Sequence, residues 1–491
     1  MNPVVPGFHP DPSVCRVGDD YFLACSSFEY FPGVPVFRSG DLRDWVQIGN
    51  ALDRTDQLRL AAAPSSGGIF APTLRHHDGR FWLVTTNLWD GGHLLVTAHD
   101  PAGPWSVPVR LPELPGIDPD LAWDEDGRCL LTYSVFPVDG GQGAIQQVPI
   151  DPGTGRLLGT PRALWSGTGL AYPEAPHVYQ VDGRWYLLIA EGGTERGHAV
   201  SVARGPSASG PFEGHPGNPV LSNRSTTAPV QNTGHGDLVQ AADGTWWLVL
   251  LGVRPRGGTP GFHVLGRETF LTRVHWVDGW PVPEPVTLAA AAAGPVSRRD
   301  DFTGDALAPG WLAVRQPPQA ISSLRERPGW LALHDTGHGM DDPLPAFVGQ
   351  RQQHHRCRVR ALVDPGDGRG GLTVRLDERH HFDIEASPGR ILCTARIGPL
   401  IQEVGVATIP PGPVVLRIDI EPDGNGMGSL AAPPDRVRLG YEQDGRPTTL
   451  AELDGRYLST EVAGGFTGRV IGIYAQRGTV AADWFEYAGI P

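Results

Sequence analysis

Lysine is absent from this chain; every one of its 40 strongly basic residues is arginine. That excludes a phosphate-binding loop of the GxxxxGK[ST] type and any mechanism running through a lysine Schiff base. Cysteine is scarce. The five cysteines, Cys15, Cys25, Cys129, Cys357 and Cys393, are scattered and form no CxxC pair. They read as small buried apolar groups in a reducing compartment. Positive charge is in deficit, and a net charge of −14 argues against a nucleic-acid partner, which needs a basic face. No apolar run reaches the roughly 18 residues of a membrane-spanning helix, so no membrane partner is expected. The start, Met1-Asn2-Pro3-Val4-Val5-Pro6-Gly7, has neither a basic n-region nor an apolar h-region. The expected location is the cytoplasm.

Turn formers are plentiful. With 65 Gly, 48 Pro and 14 Trp the composition suits an all-β protein, and 491 residues exceed one ordinary domain. A turn dipeptide followed by an aromatic or apolar run recurs through the first half. The copies are Asp78-Gly79-Arg80-Phe81-Trp82, Asp126-Gly127-Arg128-Cys129-Leu130, Asp182-Gly183-Arg184-Trp185-Tyr186 and Asp243-Gly244-Thr245-Trp246-Trp247. A degenerate first copy is Gly18-Asp19-Asp20-Tyr21-Phe22. Spacings of roughly 50–60 residues hold several strands each, which predicts a five-bladed β-propeller.

Ten or eleven residues ahead of each hairpin stand Asp11, Ala71, Asp118, Glu174 and His235. The first strand of a blade lines the propeller axis, so equivalent positions converge at one end of the channel. The expectation is that three carboxylates and a histidine meet there. Singly, each has a plainer reading. Asp11, between Pro10 and Pro12, is also good turn chemistry; Asp120 rivals Asp118 on the same face; Glu174 reads as a loop carboxylate. The shared register favours the functional reading of Asp11 and Glu174 and leaves Asp118 and Asp120 both open.

The stretches Asn2-Pro3-Val4, Gly7-Phe8-His9-Pro10-Asp11-Pro12-Ser13, Ser26 to Gly33 and Ser66-Gly67-Gly68-Ile69-Phe70-Ala71-Pro72 follow one another in order. So do Ile117-Asp118-Pro119, Tyr172-Pro173-Glu174-Ala175-Pro176-His177, Ala190-Glu191-Gly192-Gly193-Thr194, Gly234-His235-Gly236 and Leu265-Gly266-Arg267-Glu268-Thr269. Together they resemble the β-xylosidase branch of family 43 glycoside hydrolases. The resemblance implies Glu174 as general acid, Asp11 as general base and Asp118, just before its proline, as the group that orients Glu174 and raises its pKa. It implies inversion, with the Asp11 and Glu174 carboxyls about 6.5–9.5 Å apart to admit a water.

It also implies apolar walls from Phe28, Phe31 and Phe70. His235 would stand near the axis under the sugar, and Arg267 would reach sugar hydroxyls rather than pair only with Glu268. No cofactor is required; a structural Ca²⁺ or Na⁺ near His235 is the metal such surroundings would take. One departure is Ala175, where the family usually has glycine. Glu191 is either a partner of the site or a turn residue, and His198 matches nothing specific.

Residues 288–300 break the propeller pattern and read as a linker. Beyond it, short alternating runs such as Gly371–Leu376, Val414–Ile420 and Arg469–Tyr474 predict a β-sandwich. It resembles the concanavalin-like (jelly-roll) C-terminal domain of the same branch. The expected domains are 1–290 and 298–491. By resemblance a sandwich loop, Gly464-Gly465-Phe466-Thr467-Gly468, completes one pocket wall with Phe466. His354-His355 and His380-His381 read as surface residues.

The implied substrate is the non-reducing end of short β-1,4-xylo-oligosaccharides, with α-L-arabinofuranosides as a second or main activity. A non-catalytic carbohydrate-binding propeller would not need three carboxylates. A retaining, fructosyl-transferring propeller would differ in product anomer. Enzymes of this type are often homo-oligomers, but no interface is legible in the sequence.

Overall fold

A computed structural model describes residues 2–136, 143–288, 296–423 and 430–490. The first half forms five four-stranded antiparallel sheets, each built from strands in chain order, the first blade skipping the short strand Tyr30–Phe31. Their innermost strands are Ser13–Val17, Thr73–His77, Ile117–Trp123, Glu174–Val181 and Gln231–Gln240. The Asp-Gly turns at Asp78-Gly79 and Asp182-Gly183 have positive φ at both residues, the conformation that a two-residue hairpin between twisted strands favours.

Alternation along the strands gives every blade two apolar faces, and one buried cluster fills each gap between neighbours. Phe22, Leu74 and Phe81 join blades one and two, and Leu95, Leu121 and Leu131 join two and three. Leu130, Val178 and Leu187 follow, then Leu188, Leu248 and Phe270, and finally Val14, Leu23 and Val249. The ring is closed by the N-terminal segment. Val4 N donates to Thr269 O, and the Asn2 side chain pairs with both backbone groups of Leu271 at 2.8 Å.

The second half packs two large antiparallel sheets around one continuous core that includes Trp311, Phe382, Ile418 and Phe485. Of the expected linker, residues 289–295 lie outside the described residues, while Val296–Asp300 is no linker. It pairs as an edge strand with Phe485–Gly489. Propeller residues Tyr30–Phe31 pair with Ala313 and Val314 and so extend a sandwich sheet. Phe8, Phe28 and Tyr30 share a core with Leu312, Phe347 and Val470. Among the described residues no helix is long and apolar enough to cross a membrane.

His380 and His381 are buried rather than on the surface. Each finds an acidic partner: His380 faces Asp377, and His381 lies between Asp383 and Asp341. Burial works against His381's charge, but those two carboxylates outweigh it and push its pKa up to about 9. His354 and His355 are half-buried.

Candidate active site

At one mouth of the propeller axis the innermost strands begin with a shared irregularity. Asp11, Asp118, Ala175 and His235 all have φ near +50°, and the pairing register shifts beside Asp118, Ala175 and His235. Each is followed by Pro or Gly and then by a polar residue: Ser13, Asp120, His177 and Asp237, with Thr73 in the second blade. This corrects the expected register. Ala175, not Glu174, is structurally equivalent to Asp11 and Asp118, and Glu174 stands one residue earlier.

The carboxylates nevertheless converge. Ala175 N donates to Asp118 Oδ2 at 3.1 Å, which ties the backbone beside Glu174 to Asp118. Burial, and after it the charges of Glu174 and Asp11, push the Asp118 carboxyl well above its usual range.

Asp11 is held the other way. Burial alone would raise its pKa, but the Arg267 charge and a hydrogen bond from Ser26 bring it below the ordinary value. Arg267 Nη1 donates to Asp11 Oδ1 at 2.8 Å and to Thr194 Oγ1 at 2.9 Å, and Ser26 Oγ donates to Asp11 Oδ2 at 2.5 Å. The plainer reading of Arg267 fails because Glu268 is taken by Arg254, at 2.7 and 2.9 Å. His235 Nδ1 lies 3.5 Å from Asp11 Oδ1, and burial pushes its pKa down to about 3. It is a neutral ring at ordinary pH.

The apolar wall is a stack of rings. Phe28 packs on Phe466 with centroids 5.8 Å apart and edge-on to Phe70 at 5.5 Å, and Phe70 stacks on Trp89. The Arg267 guanidinium lies over Phe28 and Phe466, at 5.6 and 5.4 Å, so wall and carboxylates share one site. Phe466 N donates to Ser66 Oγ at 2.8 Å, which pins the sandwich loop to the propeller. Phe31 is not brought in. Its ring is buried in the core between blades one and two because its backbone is committed to the sandwich sheet.

Sequence reasoning missed what lies beneath. Arg75 fills the axis: Nη1 donates to Asp237 Oδ2 at 2.8 Å and Nη2 to Asp120 Oδ1 at 2.7 Å and His177 Nδ1 at 2.9 Å. Burial opposes its charge, but Asp237 and Asp120 outweigh that and raise its pKa. Asp120 is thereby removed as a rival of Asp118. The signal was the residue two past each candidate, a polar column behind the Pro/Gly column.

Glu191 accepts from the N–H and hydroxyl of Thr168 at 2.7 and 2.9 Å, and so anchors a loop rather than joining the carboxylates. His198, assigned nothing from sequence, lies with Nε2 3.5 Å from Glu174 Oε1. Among the described residues no group of three or more His, Cys, Asp and Glu could hold a metal, and the axis already carries the Arg75 guanidinium.

An aromatic wall beside converging carboxyl groups on a propeller is the arrangement that glycoside hydrolysis needs. Residues 1–281 match the model of glycosyl hydrolases family 43, and 299–488 match the beta-xylosidase C-terminal concanavalin A-like domain. The chain belongs to family 43. It is 36% identical to a xylosidase/arabinosidase of Butyrivibrio fibrisolvens, covering 99% of this chain and 98% of that one. It is 37% identical to a non-reducing end alpha-L-arabinofuranosidase of Bacteroides ovatus, covering 99% and 94%. The solved xylan beta-1,4-xylosidase of Bacillus halodurans superposes with a TM-score of 0.89 at 31% identity, covering 99% of each chain.

Proposed function

We propose that this enzyme acts at the non-reducing end of short β-1,4-xylo-oligosaccharides, releasing one xylose at a time, and also accepts α-L-arabinofuranosides. The observation that carries this reading is the meeting of Asp11, Asp118 and Glu174 under a wall that the second domain completes with Phe466. A wall made by a separate domain favours a pocket over an open groove, and a pocket takes chain ends. The names of the relatives support both sugars.

In this reading Glu174 is the general acid. It is the most accessible of the three, its side chain 16% exposed, and so the one that can reach the glycosidic oxygen with a proton. Asp11, kept ionised by Arg267, is the base that takes a proton from water attacking the opposite face. Asp118, through Ala175 N, fixes the backbone that carries Glu174. Water attacks once, so the anomeric configuration inverts. Arg267 supplies positive charge beside the Asp11 carboxylate. The five free thiols are consistent with cytoplasmic action on imported oligosaccharides.

The test is kcat/KM for an aryl β-D-xylopyranoside and an aryl α-L-arabinofuranoside on one preparation. Activity on both, with the xyloside preferred, is expected. A preference for the arabinofuranoside would make that the main activity, and inactivity on both would refute the proposal.

A further inference from the structure

His198 lies on the loop between the second and third strands of blade four, and its ring is fully enclosed. The seat is specific. A Cβ placed on Gly234 would fall 2.4 Å from His198 Nδ1 and 2.5 Å from Cε1 and Cγ, so the ring lies flat on a residue that must be glycine. Ser222 Oγ donates to the His198 carbonyl at 2.8 Å, and His198 N donates to Glu195 O at 3.0 Å. Backbone and ring are both held.

The tautomer follows from the partners. Nδ1 is 3.2 Å from the backbone carbonyl of Asn232, which can only accept, so Nδ1 carries the hydrogen. In the neutral ring Nε2 is then left with a lone pair. It is buried with no hydrogen-bond partner, and the atom it faces is Glu174 Oε1 at 3.5 Å. A bare carboxylate opposite that lone pair would be repelled; a protonated one would donate to it. Asn232 itself has φ of 56°, so its carbonyl is aimed by an unusual backbone.

We infer that His198 is a positioning residue for the general acid, accepting the Glu174 proton through Nε2 and thereby holding the carboxyl in its protonated form, aimed at the leaving oxygen. The inference rests on the assignment of Glu174 as acid. When Glu174 passes its proton to the departing sugar oxygen, that hydrogen bond is given up and the carboxylate is left to be reprotonated from solvent before the next turnover. His198 touches no reacting atom.

The test compares His198→Phe, which preserves a flat ring over Gly234, with Glu174→Gln and the parent enzyme. Two substrates are used: xylobiose, whose leaving group needs protonation, and 2,4-dinitrophenyl β-D-xylopyranoside, whose leaving group does not. Circular dichroism and melting temperature establish that each variant folds.

The expected result for His198→Phe is a kcat on xylobiose lowered about 10- to 100-fold with KM changed less than about threefold, within the range that general acid catalysis contributes. On the dinitrophenyl xyloside kcat should stay within about threefold. Glu174→Gln should show the same selectivity more strongly. If Glu174→Gln is selective and His198→Phe lowers both substrates alike, or neither, the role of His198 is overturned and the acid assignment stands. If Glu174→Gln itself shows no selectivity, both are overturned. Should His198→Phe not fold, His198→Gln is put through the same comparison, and the same outcomes decide.

Discussion

Arg75→Met removes the guanidinium that holds the propeller axis together. Arg75 is largely enclosed and faces two carboxylates with no exposed side-chain surface, Asp120 and Asp237. Truncating one partner of such an arrangement leaves buried charge uncompensated, at about 3–5 kcal/mol. Asp237 keeps its Tyr179, Ser13 and Val14 donors and Asp120 keeps Val178 N, so the lower end, about 3–4 kcal/mol, is expected. That is a large part of the roughly 5–15 kcal/mol that stabilises an ordinary protein.

Urea unfolding followed by tryptophan fluorescence should show the midpoint falling at near-constant slope. Adding Asp237→Asn to the variant should recover at least about a third of the loss, because an amide needs no counter-charge. The effect has a pH signature. Burial would raise the Asp237 pKa, but Arg75 and its other partners hold it below the usual value. Its contribution is therefore present above the unfolded value of about 3.9 and is lost as pH falls towards the folded one. Parent and variant should converge below about pH 4. A loss under about 1 kcal/mol, or no recovery with Asp237→Asn, would refute the reasoning.

Three further outcomes follow from the same geometry. Burial pushes fully enclosed Glu29 up to about 7 from 4.5, despite Arg375 and Arg315. A raised carboxyl stabilises most when protonated, so stability should fall by about 3 kcal/mol as pH rises from 4.5 past 7; Glu29→Gln should flatten that slope in pH-dependent melts. Arg267→Met should raise the Asp11 pKa, moving the acidic limb of kcat/KM to higher pH and lowering its plateau about 100-fold; an unmoved limb would remove Arg267 as the group that keeps the base ionised. Ala175 sits at φ 51°, a conformation costing about 1–2 kcal/mol with a side chain. Less the extra freedom of glycine when unfolded, Ala175→Gly should stabilise by about 0.5–1 kcal/mol, and a lower melting temperature would contradict this.

The blade repeat and the sandwich were legible because Asp-Gly turns and short alternating runs are local chemistry. So were Asp11, Asp118 and Glu174 as a group, although the register of Glu174 was off by one. Counting from the hairpins carried the varying hairpin length into the register, whereas the Pro/Gly column after Asp11, Ala71, Asp118, Ala175 and His235 aligns the inner strands directly. Phe31 went wrong for a different reason. Its neighbours are aromatic pocket residues, but its backbone pairs with Ala313, a partner some 280 residues away that no local pattern reveals. Arg75 and His198 were hidden because neither sits in a motif; each acquires meaning only from carboxylates on other blades. His380 and His381 were misread because alternation predicts one exposed side chain, and here loop residue Asp341 covers His381.

In the proposed mechanism Asp11 activates water on the face opposite the leaving group protonated by Glu174. Proton NMR of xylobiose hydrolysis, recorded before mutarotation, tests it most directly. α-D-Xylose should appear first from the non-reducing end; β-D-xylose as the first product would overturn the role of Asp11 as base.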